Sequence, residues 1–187
     1  MEDKNFHNFN LVGGTALALQ LGHRQSVDID LFGEQVLDEM SISYFMKTLG
    51  DSNLISKSTN ILIYIVNGIK VDIVNYNYKL LKEPVIEDNI RMASKPDIAA
   101  MKLNAIAGRG TKKDFIDLFF LLKEFSLTEC IEFYATKYQN NSLFMVEKSL
   151  TYFEDAEKEV MPKMYIDIDW AHIKSFITHE ISKYSKT

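Results

Sequence analysis

Apolar side chains recur every second residue in some stretches of the chain and every third or fourth in others, and these changes of period mark out its elements. Residues 9–12 (FNLV) form a short strand candidate, followed by Gly13-Gly14-Thr15 and an apolar run from Ala16 to Leu21 that Gly22 closes. This reads as strand, tight turn and short helix. Residues 27–32 (VDIDLF) alternate as a strand does, and 38–49 carry Met40, Tyr44, Phe45, Met46 and Leu49 at roughly helical spacing. Two β-branched runs, Ile61 to Val66 and Ile69 to Val74, flank Asn67-Gly68. That dipeptide favours a two-residue hairpin, whose central residues need positive φ.

Beyond this point the period becomes helical. Ser94 precedes Pro96, which suits the first turn of a helix from about Asp97 to Ala107, ended by Gly108 and Gly110. Phe115, Leu118, Phe119 and Leu122 predict a second helix, and amphipathic stretches follow near 128–138 and 143–158. A last helix begins at Asp169 as cap, with Ile168 stapled to Ile173, and Phe176, Ile177, Ile181 and Tyr184 continue its buried stripe. The expected fold class is α/β (α+β): a mixed sheet with helices over residues 1–90, followed by a helical region over 91–187 that packs on it.

Composition narrows the class. The chain has 187 residues, 47% hydrophobic and 25% charged, which excludes collagen-like and disordered readings. Cys130 is the only cysteine, so no intrachain disulfide forms and a reducing cytoplasm is the expected setting. The opening MEDKNFHNFN lacks an apolar signal core, and no apolar run approaches the ~20 residues that cross a bilayer. Neither secretion nor a membrane association is expected. The formal net charge of −5 argues against a general nucleic-acid coating protein. Residues 89–123 nevertheless carry seven basic side chains against three acidic ones, Asp97, Asp114 and Asp117. Arg91, Lys95, Lys102, Arg109, Lys112 and Lys113 either draw an anionic ligand or form a solvated helix face.

The strand reading gives some residues a chemical meaning. Asp28 and Asp30, two apart between apolar neighbours, are expected on one face of a strand, and Asp72 in Val71-Asp72-Ile73-Val74 is in a similar context. Clustered carboxylates repel unless a cation is present, and an all-oxygen set favours Mg²⁺ or Mn²⁺. The alternative is a group of solvated acids on an open sheet face. Gly13-Gly14-Thr15 allows close backbone approach at a helix start, a natural phosphate seat, although paired glycines also serve tight packing. Lys102 lies in an otherwise apolar helix, where it either meets an anionic partner or snorkels to solvent.

The run LVGGTALALQLGHRQSVDIDLF, residues 11–32, resembles the signature of the nucleotidyltransferase superfamily, and more narrowly that of the AbiEii/AbiGii-type toxins. His23, Arg24 and Ser26 match the His-Arg-x-Ser that precedes the acidic pair there. KPDIAAMKLNAIAGRGTKKDFIDLFFLL, residues 95–122, resembles the same group's downstream motif, and Met161-Pro162 and Trp170 extend the likeness over most of the chain. Lys113 stands where an Arg is frequent, keeping charge but losing bidentate geometry. The resemblance implies a nucleotidyltransferase-like fold. It implies a triphosphate held by Gly13, Gly14, Thr15, Arg24, Ser26, Lys102, Arg109 and Lys113, and metal held by Asp28, Asp30 and Asp72. Asp72 would alternatively help deprotonate the attacking hydroxyl, and Asp114 or Asp117 would position Lys102 or the acceptor.

The activity so implied is transfer of a nucleotide from a nucleoside triphosphate to an acceptor hydroxyl, with Mg²⁺ or Mn²⁺ present and pyrophosphate leaving. The acceptor would be an RNA such as tRNA, and an antitoxin protein would be the partner. A small-molecule acceptor, and a nucleotide- or partner-binding protein without turnover, are the alternatives. Asp167 and Asp169 form a second D-x-D that helix capping explains, and His172 and His179 are expected at the surface. Phe119, Phe120 and Phe125 are expected in the core, and His23 is expected to orient the loop before the acids.

Overall fold

The Asn67-Gly68 hairpin forms as expected, with both residues at positive φ (50° and 81°) between β-branched strands. The computed structural model describes residue 1 and residues 3–186. Its strands are β1 (Phe9–Val12), β2 (Ile29–Gly33), β3 (Ser52–Lys57), β4 (Ile61–Val66), β5 (Ile69–Asn75), β6 (Val85–Glu87) and β7 (Ile90–Met92). They join in one mixed sheet in the order β3-β4-β5-β2-β1-β7-β6. β2 is antiparallel to β1 and parallel to β5, and in the parallel register Asp30 stands opposite Asp72.

The helices are α1 (Gly13–Leu21), α2 (Glu39–Thr48), α3 (Lys95–Gly108), α4 (Lys112–Leu121), α5 (Leu127–Lys137), α6 (Leu143–Ser149), α7 (Glu154–Glu157) and α8 (Trp170–Tyr184). Their starts follow local chemistry. Ser94 and Asp169 accept the backbone N–H bonds that open α3 and α8, and Ser126 with Glu129 closes a capping box on α5. α2 covers one sheet face, where Ile42 and Met46 pack with Phe9, Leu62, Tyr64 and Ile73. The opposite face carries the larger core, in which Leu17 of α1 meets Leu103, Phe115, Leu118, Cys130 and Ile173 from the helical half. Ile168 packs against this cluster beside Ile173, as do Phe119, Phe120 and Phe125. No helix among the described residues is long and apolar enough to cross a membrane.

Four differences from the pattern reading have physical reasons. β3, β6 and β7 were not anticipated: β3 is a mostly exposed edge with a bulge between Leu54 and Ser56, and the other two are three residues long. Such strands need little alternation. α1 starts at Gly13 rather than Ala16, because Gly13 adopts φ 68° and turns the chain directly from β1 into the helix. The stretch 143–158 is two helices, since Phe153 turns inward against Phe115 (4.8 Å between rings) instead of continuing α6.

The fourth difference concerns Asp28. β2 begins at Ile29, which leaves Val27 and Asp28 exposed in the preceding loop. The Asp28 carbonyl accepts a hydrogen bond from the Thr15 hydroxyl. Just upstream, Gln25 N–H donates to Lys163 O (2.8 Å) and Tyr165 N–H to His23 O (3.0 Å). The segment is thus tied to α1 and to the chain before α8, and the sheet ladder starts one residue later. Asp28 therefore lies just outside the strand that carries Asp30, though near enough for its charge to add to the upward shift of Asp30.

Candidate active site

A cleft of about 390 Å³ opens between the sheet and α3. It is lined by Gly13, Asp30, Asp72, Lys102, Arg109 and Asp114 among the residues singled out in the sequence. β2 and β5 place the two strand acids side by side. Asp72 is mostly buried and receives Lys70 Nζ on Oδ2 at 2.5 Å, while its Oδ1 is buried with no hydrogen-bond partner. Burial, and then the neighbouring charge of Asp72, hold the Asp30 carboxyl above its ordinary value. Gly13 reaches this pair directly: a Cβ built there would lie 2.5 Å from Asp30 Oδ2. Only a residue without a side chain lets the turn and the carboxylate stand so close.

A second set of charges lies behind the cleft. Lys102 Nζ is bound between Asp114 Oδ1 (2.9 Å) and Asp117 Oδ2 (2.6 Å). Of the two alternatives for Lys102, the anionic partner is the one adopted. Burial alone would pull the ammonium down, but Asp117 and Asp114 outweigh it and hold it above its ordinary value. Asp117 also takes the Arg24 fork, Nε at 2.7 Å and Nη2 at 2.8 Å, and His23 Nε2 at 2.8 Å. Despite burial, Lys102, His23 and Arg24 keep the Asp117 carboxyl far below the usual range. Asp114 is lowered too, with Lys102, the Thr111 hydroxyl (2.6 Å) and Arg109 (3.1 Å) overcoming its burial.

The structure therefore sorts the expected residues into groups. Arg24 is buried with its fork spent on Asp117, and a Cβ on Gly14 would collide with the same guanidinium. Thr15 donates to the Asp28 carbonyl and its oxygen accepts from Ser26 Oγ (2.9 Å), so the three residues lock the loop to α1. His23 does orient that loop, through Asp117. Lys113 is exposed and does not line the cleft. The basic surplus of residues 89–123 is largely paired: Arg91 donates to Phe6 O and Phe9 O, Lys95 pairs with Glu124, and Lys112 donates to Glu159 O. It forms no general polyanion surface.

Sequence reasoning missed, among the rest of the lining, Phe32, Tyr76, Met101, Asn104 and Tyr138. A signal existed for two of them, since Phe32 lies two residues past Asp30 and Tyr76 four past Asp72, the strand spacing for a shared face. Nothing local pointed to Tyr138, which meets Tyr76 hydroxyl to hydroxyl across 62 positions.

Among the described residues no group of three or more His, Cys, Asp or Glu side chains stands ready as a metal cage. The donor chemistry nevertheless fits a divalent cation. Asp72 carries one unpartnered buried carboxylate oxygen, the carboxyl of Asp30 opposite it in register has its charge disfavoured, and a cation between them would relieve both.

The family model described as "Nucleotidyl transferase AbiEii toxin, Type IV TA system" matches residues 1–183, and the chain belongs to that family. It is 39% identical over 186 residues to the uncharacterized protein aq_aa25 of Aquifex aeolicus (strain VF5), covering 95% of this chain and 88% of that one. In fold it is similar to MenT4, a nucleotidyltransferase toxin of Mycobacterium tuberculosis H37Rv (TM-score 0.63, 10% identity, 100% and 78% of the two chains). A candidate nucleotidyltransferase from H. pylori has the same fold (TM-score 0.58, 18% identity, 96% and 88% of the two chains).

Proposed function

We propose that this nucleotidyltransferase moves a nucleoside monophosphate from a triphosphate to a hydroxyl of RNA, tRNA being the first candidate, as the toxin of a pair with an antitoxin protein. The observation that carries the reading is the in-register pair Asp30–Asp72, with a bare carboxylate oxygen, in the same cleft as Gly13, Lys102 and Arg109. Asp30 and Asp72 hold Mg²⁺ or Mn²⁺, with Asp28 one residue upstream of β2 as a further ligand. When bound, the metal offsets charge on the reacting phosphate. The Gly13-Gly14-Thr15 turn lets the phosphates approach the backbone, and Lys102 and Arg109 counter charge building on the departing pyrophosphate. Asp114 and Asp117 hold Lys102 in place, and Arg24 and Ser26 act one step back by fixing the turn and loop. Lys113 would meet phosphate only from outside the cleft. As the alternative to holding metal, Asp72 would help accept the attacking hydroxyl's proton.

A second cleft of about 280 Å³ supports a nucleic-acid acceptor. It shares Val12, Phe32, Tyr76 and Met101 with the first; Asn8, Asn10 and Tyr78 add hydrogen-bonding groups, and Lys79 and Lys137 bring two positive charges against the one negative charge of Glu34. Such a lining suits the end of a single strand. The test offers each of the four α-labelled triphosphates, with Mg²⁺ or Mn²⁺, to total RNA and to small-molecule and protein fractions. Label entering RNA, lost in Asp30→Asn, is the expected result. Label entering only small molecules would overturn the RNA acceptor, and tight nucleotide binding without pyrophosphate release would overturn transfer.

A further inference from the structure

The charged residues of the first cleft line only part of it, and the remainder is aromatic and apolar. We propose that Phe32, Tyr76 and Met101, with Tyr138 and Asn104 at their margin, form the seat of the triphosphate's nucleobase. This rests on the nucleotidyl-transfer reading and adds to it the residues that choose the base. Phe32 and Tyr76 lie 4.9 Å apart between ring centroids, tilted 50° to one another, and are partly accessible, so they offer two adjoining ring faces on which a base can stack. Phe32 follows Asp30 on β2 and Tyr76 follows β5 directly, four residues past Asp72, and all four line the same cleft, which puts the surface beside the acids.

The margin carries hydrogen-bonding groups suited to a base edge. The Tyr76 and Tyr138 hydroxyls bond to each other at 2.5 Å. One of them donates within the pair, and the other's proton remains for a ligand acceptor. Burial pushes the Tyr76 phenol up to about 12 and the Tyr138 phenol higher still, so both stay protonated at neutral pH. Asn104 Oδ1 accepts from Asn141 Nδ2 (3.2 Å), which leaves the Asn104 amide N–H₂ as its available donor. The seat is also braced. Asp97 takes Lys137 Nζ (2.8 Å) in a fully buried pair, and Lys137 Nζ lies 5.5 Å from the Tyr76 ring centroid. Asp97 also accepts the Leu81 and Lys82 backbone N–H bonds, which fixes the strap after β5 beneath the rings.

The same aromatic wall backs the second cleft, so the two bases of the reaction could compete for it. The choice of the triphosphate's base follows from Gly13, Lys102 and Arg109, which line the first cleft and not the second.

The experiment measures equilibrium binding of the four α,β-methylene nucleoside triphosphates, and of inorganic triphosphate, to the full chain with Mg²⁺. Phe32→Ala and Tyr76→Leu should each weaken the nucleotides about ten- to hundredfold, the loss of one stacking partner, and leave inorganic triphosphate unchanged. Tyr76→Phe keeps the ring and is the gentler variant for folding. It should retain overall affinity while altering the ratio of affinities among the four bases. Equal losses for nucleotides and inorganic triphosphate would overturn the seat, as would nucleotide binding indifferent to Phe32→Ala. Variants that bind nucleotide normally but need more RNA for half-maximal transfer would give the wall to the acceptor and likewise overturn it. Wild-type protein that binds inorganic triphosphate as tightly as any nucleotide would remove this inference alone; binding neither would remove nucleotidyl transfer itself.

Discussion

Asp30 and Asp72 stand on neighbouring strands with their charges only partly answered, whereas Asp114 and Asp117 stand one helical turn apart on α4 with every charge met. Both pairs are buried or nearly so, and burying a carboxylate costs several kcal/mol unless it is paired. On α4 that cost is offset inside the protein by Lys102, Arg24, His23, Arg109 and Thr111. In the strands it is left standing: Lys70 answers one oxygen, another has no partner, and the Asp30 proton is held more tightly than in water. A fold that answers one pair completely and leaves its neighbour open separates groups that hold the architecture from groups that await a ligand.

The sharpest way to break this comparison is to neutralise one acid from each pair. Asp30→Asn or Asp72→Asn should cut nucleotide transfer on the order of 10³-fold while the protein stays folded, measured by labelled-triphosphate transfer beside circular dichroism. Transfer within tenfold of wild type would reassign the open pair as structural. Asp117→Ala should act first on the fold, destabilising it by about 3–5 kcal/mol in urea titration because Arg24 would be left buried without its carboxylate and Lys102 with only Asp114.

Acid titration tests the same contrast with opposite signs. Asp114 and Asp117 are lowered on folding, so their stabilisation is present above the unfolded carboxylate value and lost as pH falls through the depressed folded values. Asp30 is raised, so folding favours its protonated form. That contribution is complete below its ordinary 3.8 and lost as pH rises through the raised value. Asp30→Asn should therefore be at least as stable as wild type at neutral pH, and the advantage should vanish in strong acid.

Mg²⁺ in excess should raise the melting temperature of wild type at neutral pH by a few degrees, and not that of Asp72→Asn. The smallest effect is expected at Lys113, whose exposed side chain lies outside the cleft: Lys113→Ala should change transfer less than threefold, against about tenfold for Arg109→Ala.

Much of the fold was legible because it rests on local chemistry. The Asn67-Gly68 turn, the Ser94 and Asp169 caps and the apolar stripe of α8 each depend on a few adjacent residues. The lining of the candidate cleft was legible where strand period or motif pointed to it, as for Gly13, Asp30, Asp72 and Lys102. It was not legible where the deciding contact is remote. Arg24 finds Asp117 93 residues away, and the carbonyl of Asp28, just before the strand, bonds to Thr15 13 residues back. β6 and β7 are too short to show a period at all.

The pairing of Asp30 with Asp72 has one more consequence. Alternation along β5 sends Val71 and Ile73 into the packing beneath α2 while Asp72 points the other way. Sliding β5 by a single position would drive a charged group into that oily layer and strand two aliphatic ones in water. A mispaired molecule would thus be both inert and unstable, so that the forces that align these strands also weed out chains unable to perform the reaction.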